Sequence, residues 1–283
     1  MVTINQLITK SIWQKVISIH SHYQLLRTTN MLFQRLLTSC LLILFSSLSY
    51  ASESTVISFK SADNILITAD TYFSHPTNTT PVIILFHQAG SSRGEYNEIA
   101  PRLNQLGFNC IAVDLRSGEY SRGKDNETAM HASNAGLSTN YADALPDVIA
   151  ALQYARKQYK PSKLIAWGSS YSASLVLKVA GDYPQLIDAV LAFSPGEYFS
   201  HIGKSKTWIR DSAKNIKVPT FITSSKDEAD SWNFIYLAIP SKTKTGFIPE
   251  TAGRHGSRAL WNKYDDSEDY WQAVSEFLHS ARL

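Results

Sequence analysis

The sequence predicts an α/β fold with a doubly wound, mostly parallel sheet, and three observations point that way. Several short segments are apolar throughout, as strands covered on both faces are. Segments with helical spacing alternate with them, the order expected of a sheet built from crossover connections. Residues 163–173, KLIAWGSSYSA, read as a strand, a sharp turn and a helix, with Ser170 at the apex.

Residues 55–60 and 65–72 alternate apolar and polar around Ser61-Ala62-Asp63-Asn64, which predicts an antiparallel hairpin. Residues 75–80 are a polar loop containing Pro76. PVIILF, 81–86, reads as a buried strand, closed by His87-Gln88-Ala89-Gly90-Ser91-Ser92. Residues 95–106 read as one amphipathic helix with Ile99, Leu103 and Leu106 on one side, stopped by Gly107. A second buried strand follows at 109–114. Residues 116–140 are polar, with Gly118, Gly123 and Gly136, and a stretch of that length is expected to be a lid, a binding loop or disorder.

A helix is predicted over 141–159, with Leu145, Val148, Ile149 and Leu152 apolar. The central strand, 163–168, and its helix, 171–183, come next. Residues 187–193 form a further strand, ending at Ser194-Pro195-Gly196-Glu197. Residues 204–217 read as a short polar excursion. A strand at 218–223, a helix at 230–239 and a last strand at 242–248 complete the alternation. A helix at 266–278 closes it through Trp271, Val274, Phe277 and Leu278. The sequence after residue 51 shows no internal repeat and no low-complexity tract.

The chain has 283 residues, 44% of them hydrophobic, enough for one large core. Its formal charge of +3 misleads, because Lys10, Lys15, Arg27 and Arg35 lie in a first stretch of 51 residues without Asp or Glu. The remainder keeps 23 of the 27 basic residues against all 24 acidic ones, a net charge of −1. A near-neutral body offers no footprint for nucleic acid.

Residues 1–51 read as an N-terminal extension with a signal peptide, and 52–283 as the folded domain. Met31-Leu32-Phe33-Gln34-Arg35 is a short basic start, 36–48 is mostly apolar, and Ser49-Tyr50-Ala51 supplies small residues for cleavage after Ala51. The apolar run is short for a membrane span. Export, periplasmic or secreted, is therefore expected, with residues 1–30 an overlong reading frame or a long basic region. Of the two cysteines, Cys40 falls in this segment, in a sequence like a lipoprotein box whose apolar run continues past it. Cys110 stands alone in a strand, so no internal disulfide is expected.

The chemistry concentrates past the predicted strand ends. A tight strand-to-helix turn needs small residues two positions either side of its apex, and Gly168 and Ser172 fill them. A helix N-terminus there, with the Tyr171 amide, favours negative charge. Serine needs a base in contact, and the base an orienting acid. Asp227, in Ser224-Ser225-Lys226-Asp227-Glu228, and His255, between Gly253-Arg254 and Gly256, supply them. Glu228, Asp230 and Glu197 are the rivals for the acid. An oxyanion site needs a second amide beside that of Tyr171, and the loop after PVIILF offers Ala89, with Gln88 as the rival. His87 is expected to brace that loop. His131 either reaches the site or faces water, and His201 and His279 are read as structural. Asp114 and Arg116 are expected to pair locally. Trp208, Trp232, Trp261 and Trp271 are read as core or pocket wall. There is no His-Glu-x-x-His, no paired cysteine and no phosphate loop, so no metal and no cofactor is expected.

With Ser170, Asp227 and His255 in that order, and HQAG after the first buried strand, the chain resembles an α/β-hydrolase, and is similar to the small esterase-like and dienelactone-hydrolase-like members. The resemblance covers roughly 55 to 283. It implies a central sheet of about eight strands, helices on both faces, a minimal cap and hydrolysis through an acyl-enzyme. Two features depart from it, Ser172 in place of the second elbow glycine and Gln88 in place of the commoner glycine after the loop histidine, and the dienelactone enzymes themselves use cysteine where this chain has serine. The expected function is a serine hydrolase acting on a small carboxylic ester. The same triad serves an amide or thioester hydrolase, and a hydrolase fold that only binds is the reading from another class.

Overall fold

The computed structural model describes Trp13 and residues 54–283. The export segment predicted within 1–51 and the extension before it lie outside the described residues. Ser52–Leu283 forms one unit.

Eight strands form one sheet: β1 Thr55–Lys60, β2 Leu66–Tyr72, β3 Val82–Phe86, β4 Asn109–Val113, β5 Leu164–Ser169, β6 Ala189–Phe193, β7 Thr220–Thr223 and β8 Lys244–Phe247. Their order is β1-β2-β4-β3-β5-β6-β7-β8. β1 and β2 are an antiparallel pair, β2 is antiparallel to β4, and β3 to β8 run parallel. The helices are α1 Ile99–Gln105, α2 Glu127–Asn134, α3 Leu145–Tyr159, α4 Tyr171–Asp182, α5 Trp208–Ala213, α6 Ala229–Ala238 and α7 Ser267–Ser280.

The apolar strands are explained by their two covered faces. Successive side chains point to opposite sides of a sheet. Val82, Ile84, Phe86, Leu164 and Ala166 enter a core shared with α3 and α4. Ile83, Leu85, Ile165 and Trp167 enter a second core with α1 and α7. Both cores consume apolar residues, so β3 and β5 show no alternation.

The chain leaves β3 toward β4 and then returns past β3 to build β5 through β8. The strand order therefore reverses between β3 and β5, where an open α/β sheet leaves a crevice at its carboxyl edge. Register aligns that edge: Phe86 pairs with Gly168, Ser169 with Phe193, Phe193 with Thr223, and Thr223 with Phe247.

Four segments differ from their sequence expectation, one of them 141–159, where a 3-10 turn, Tyr141–Ala144, precedes α3. Residues 95–106 are not one helix; a 3-10 turn, Arg93–Tyr96, precedes α1. Side-chain bonds fix this turn to the strand ends. The Arg93 amide donates to Asp114 Oδ1 at 2.7 Å, and the Tyr96 hydroxyl donates to the Phe86 carbonyl at 2.6 Å. The stretch 116–140 contains α2, capped by Asn126, whose Oδ1 accepts from the Ala129 amide at 2.9 Å. This helix buries only Thr128 and Ala132, so it lacks an apolar stripe to announce it. The polar stretch 204–217 contains α5. Asp114 and Arg116 do pair, but with residues distant in sequence: Asp114 with Arg93, and Arg116 with Asp63 and Asp147.

Candidate active site

β5 ends at Ser169 and α4 begins at Tyr171, so one residue makes the whole turn. Ser170 has φ 60° and ψ −122°, a conformation costly for any residue with a side chain. The turn brings Gly168 against the first turn of α4. A Cβ at Gly168 would lie 2.4 Å from the Ser172 carbonyl oxygen and 2.5 Å from Ala173. Ser172 shows why serine suits the relaxed position. Its Oγ accepts from the Ser169 amide at 2.9 Å and reaches the Phe86 carbonyl at 2.8 Å. A side chain thus ties the elbow to the end of β3. Ser170 itself is 9% exposed.

The loop after β3 is held from beneath. Buried His87 lies with Nδ1 2.8 Å from the Gln88 carbonyl, so Nδ1 carries the proton, and Nε2 accepts from the Leu115 amide at 2.9 Å. Burial pushes its pKa down to about 4, although both backbone bonds pull the other way. The ring is a neutral brace, as the sequence suggested. Buried Glu95, which the sequence reading did not single out, accepts the Gln88 amide at 2.8 Å. Burial pushes its carboxyl up. That bond corrects the alternative of Gln88 as oxyanion donor, because its amide is already turned inward. Among the described residues no acceptor takes the Ala89 amide. Tyr171 is buried, stacks on Tyr141 at 4.7 Å, and donates its hydroxyl to the Ser117 carbonyl at 2.7 Å.

The segment 253–257 returns to this edge after β8. Gly256 has φ 69°, and a Cβ there would lie 2.5 Å from Ser169 Oγ and 2.9 Å from Gln88 Oε1. The Ser257 amide donates to Ser169 Oγ at 2.8 Å. The residue after His255 is thus pressed against the residue before Ser170. Among the described residues no hydrogen bond joins Ser170 Oγ to His255; such contacts commonly tighten only when substrate is bound.

The acid assignment needs correction. His255 Nδ1 lies 2.5 Å from Glu228 Oε1, not against Asp227. Asp227 is exposed and its Oδ1 accepts from the Ser225 hydroxyl at 2.7 Å. The reason is local geometry. A 3-10 turn, Lys226–Glu228, follows β7 and leads into α6, and it carries Asp227 outward and Glu228 back over the sheet edge. Partial burial alone would raise the Glu228 carboxyl. Hydrogen bonds from His255 and Ser194, with the imidazole charge, outweigh it and hold the group at about 2. Glu197 is used elsewhere: its carboxylate accepts the Ile209 and Arg210 amides at the start of α5. Asp230 is exposed. His131 Nδ1 is 2.9 Å from the Leu66 carbonyl, and His201 packs edge-on to Tyr141. Among the described residues no group of three or more His, Cys, Asp or Glu side chains is arranged to hold a metal ion.

No curated protein matches the sequence. Solved structures match in fold. An esterase of Pyrococcus furiosus superposes with a TM-score of 0.63 at 18% identity, over 81% of this chain and 92% of its own. A dienelactone hydrolase of Anabaena variabilis superposes with a TM-score of 0.62 at 15% identity, over 82% and 99%. An acylaminoacyl peptidase of Pyrococcus horikoshii gives 0.58 at 16% identity, over 84% of this chain and 43% of its own. The model of the alpha/beta hydrolase fold matches residues 81–275, more than half of the chain and every part of the site described above, and the chain therefore belongs to the α/β-hydrolase family.

Proposed function

We propose that the protein hydrolyses a carboxylic ester through an acyl-enzyme, with Ser170 as nucleophile, His255 as base and Glu228 as the orienting acid. The observation that carries this reading is the His255–Glu228 pair, seated beside a strained elbow whose apex residue is a serine. Glu228 on Nδ1 leaves Nε2 as the nitrogen that takes the proton. Ser170 Oγ then attacks the ester carbonyl carbon as its proton passes to Nε2. The oxygen gains charge where the Ala89 and Tyr171 amides and the start of α4 oppose it. His255 returns the proton to the leaving alcohol, and the acyl group stays on Ser170. Water repeats the sequence: it gives a proton to His255, attacks the acyl carbon, and Ser170 leaves reprotonated.

An aryl fluorophosphonate should label the protein once, and Ser170→Ala should abolish labelling. Full labelling of that variant would remove Ser170 from the role. Short nitrophenyl esters, thioesters and anilides compared on one preparation separate ester from thioester and amide hydrolysis. The export reading rests on the composition of 31–51, and sequencing the mature N-terminus tests it: Ser52 supports removal, Met1 or Met31 refutes it.

A further inference from the structure

Ser194 follows β6 and takes no part in the chemistry above. It is buried, and its φ of 55° is one that side chains avoid. Its backbone is held there from both sides. The amide donates to the Thr223 carbonyl at 2.6 Å, and the carbonyl accepts from the Tyr198 hydroxyl at 2.7 Å. The conformation aims the hydroxyl at two partners. Oγ lies 2.7 Å from Glu228 Oε2 and accepts from the Gly256 amide at 2.8 Å. An ionised carboxylate only accepts, and an amide only donates. The hydroxyl proton therefore goes to Glu228 and the lone pair to Gly256.

These contacts close a ring. His255 Nδ1 meets Oε1 of Glu228, Oε2 of the same carboxylate meets Ser194, and Ser194 meets the amide next to His255. We infer that Ser194 is a positioning residue, whose hydroxyl fixes the Glu228 carboxylate and the His255 segment relative to each other. This rests on the reading of Ser170, His255 and Glu228 as the catalytic groups. Two consequences follow. The carboxylate cannot rotate away from the imidazole without leaving the buried Ser194 hydroxyl proton with no acceptor. The hydroxyl also draws charge from Glu228, so removing it makes the His255–Glu228 pair hold a proton more firmly. Glu95, Tyr198 and Tyr270 also lie near the pair, Asp227 and Arg254 flank it in the chain, and Arg258 Nε donates to the His255 carbonyl at 2.9 Å; a change of the Ser194 side chain replaces none of them.

The test compares Ser194→Gly and Ser194→Ala with wild type, using a short nitrophenyl ester across pH and fluorophosphonate labelling. Both variants lose the hydroxyl, but glycine accepts the left-handed backbone and alanine does not. Both should lose about ten- to a hundredfold in kcat with KM within about twofold, as for a hydrogen bond to a charged group. The acid limb of kcat/KM should move to higher pH in both. Glycine should melt at a higher temperature than alanine without recovering activity. If alanine fails to fold, glycine alone decides. A Ser194→Gly protein with wild-type kcat and an unmoved acid limb overturns the inference while the triad stands. A wild type that neither labels nor turns over overturns both.

Discussion

Glu228 and Asp227 are adjacent carboxylates with unlike surroundings. Among the described residues the exposed Asp227 carboxylate bonds only the Ser225 hydroxyl, whereas Glu228 meets His255 and Ser194. Glu228→Gln should lower kcat by about a thousandfold or more, because an amide presents no fixed acceptor to Nδ1 and lets the ring adopt the wrong tautomer. Asp227→Asn should stay within about twofold, as exposed substitutions generally do. Steady-state kinetics of the two purified variants decides between them, and the reverse pattern would restore Asp227. Sequence could place an acid after β7 but not choose between neighbours, since the choice depends on which way a three-residue 3-10 turn rotates each side chain. Glu95 and Ser194 were invisible for a related reason. Each acts through an amide brought close only by folding, and neither sits in a motif.

At the scale of elements, α2 exists through its polar cap more than through an apolar face. Asn126 caps the Ala129 amide with Oδ1 and donates through Nδ2 to the Leu115 carbonyl at 3.0 Å and the Ser91 carbonyl at 3.2 Å. It thereby links α2 to the end of β4 and to the loop beside the site. Asn126→Ala should lower unfolding stability by about 2–3 kcal/mol, the sum of a lost cap and orphaned buried carbonyls. Urea titration measures this, and a change below about 0.5 kcal/mol would show that the helix is held otherwise. Strands were legible because each core takes every second side chain and leaves an unbroken apolar run. Helices packed by an apolar stripe, such as α3 and α7, were legible for the matching reason. α2 was not, because an asparagine bonding three backbone groups leaves no periodicity.

For the whole molecule, His87 couples folding to pH. Its pKa falls from the ordinary 6.5 to about 4 in the folded state, because burial disfavours the charged ring. At neutral pH it is uncharged folded or unfolded and contributes nothing. As pH falls below about 6.5 the unfolded chain takes up a proton that the folded chain refuses, so stability declines until about pH 4 and then levels off for this group. The full loss is about 3 kcal/mol. Denaturant titrations between pH 7 and 4 should show the decline, and His87→Asn should flatten it. An equal slope in the variant would assign the effect to other groups.

The alternation of strands and helices, the elbow at Ser170, and the chain order of that serine, an acidic segment after β7 and His255 could all be read from the residues alone. Those features are written in local periodicity and in the steric needs of a single turn. It took the folded chain to fix which carboxylate faces the imidazole, that the Gln88 amide bonds Glu95, and that Ser194 bridges Glu228 and the Gly256 amide. The bonds of Glu228 and Ser194 join segments far apart in the chain, and the Gln88–Glu95 bond, although its partners are 7 residues apart, depends on how the loop after β3 turns; in each case direction is set by backbone rotations that no pattern of residue types records.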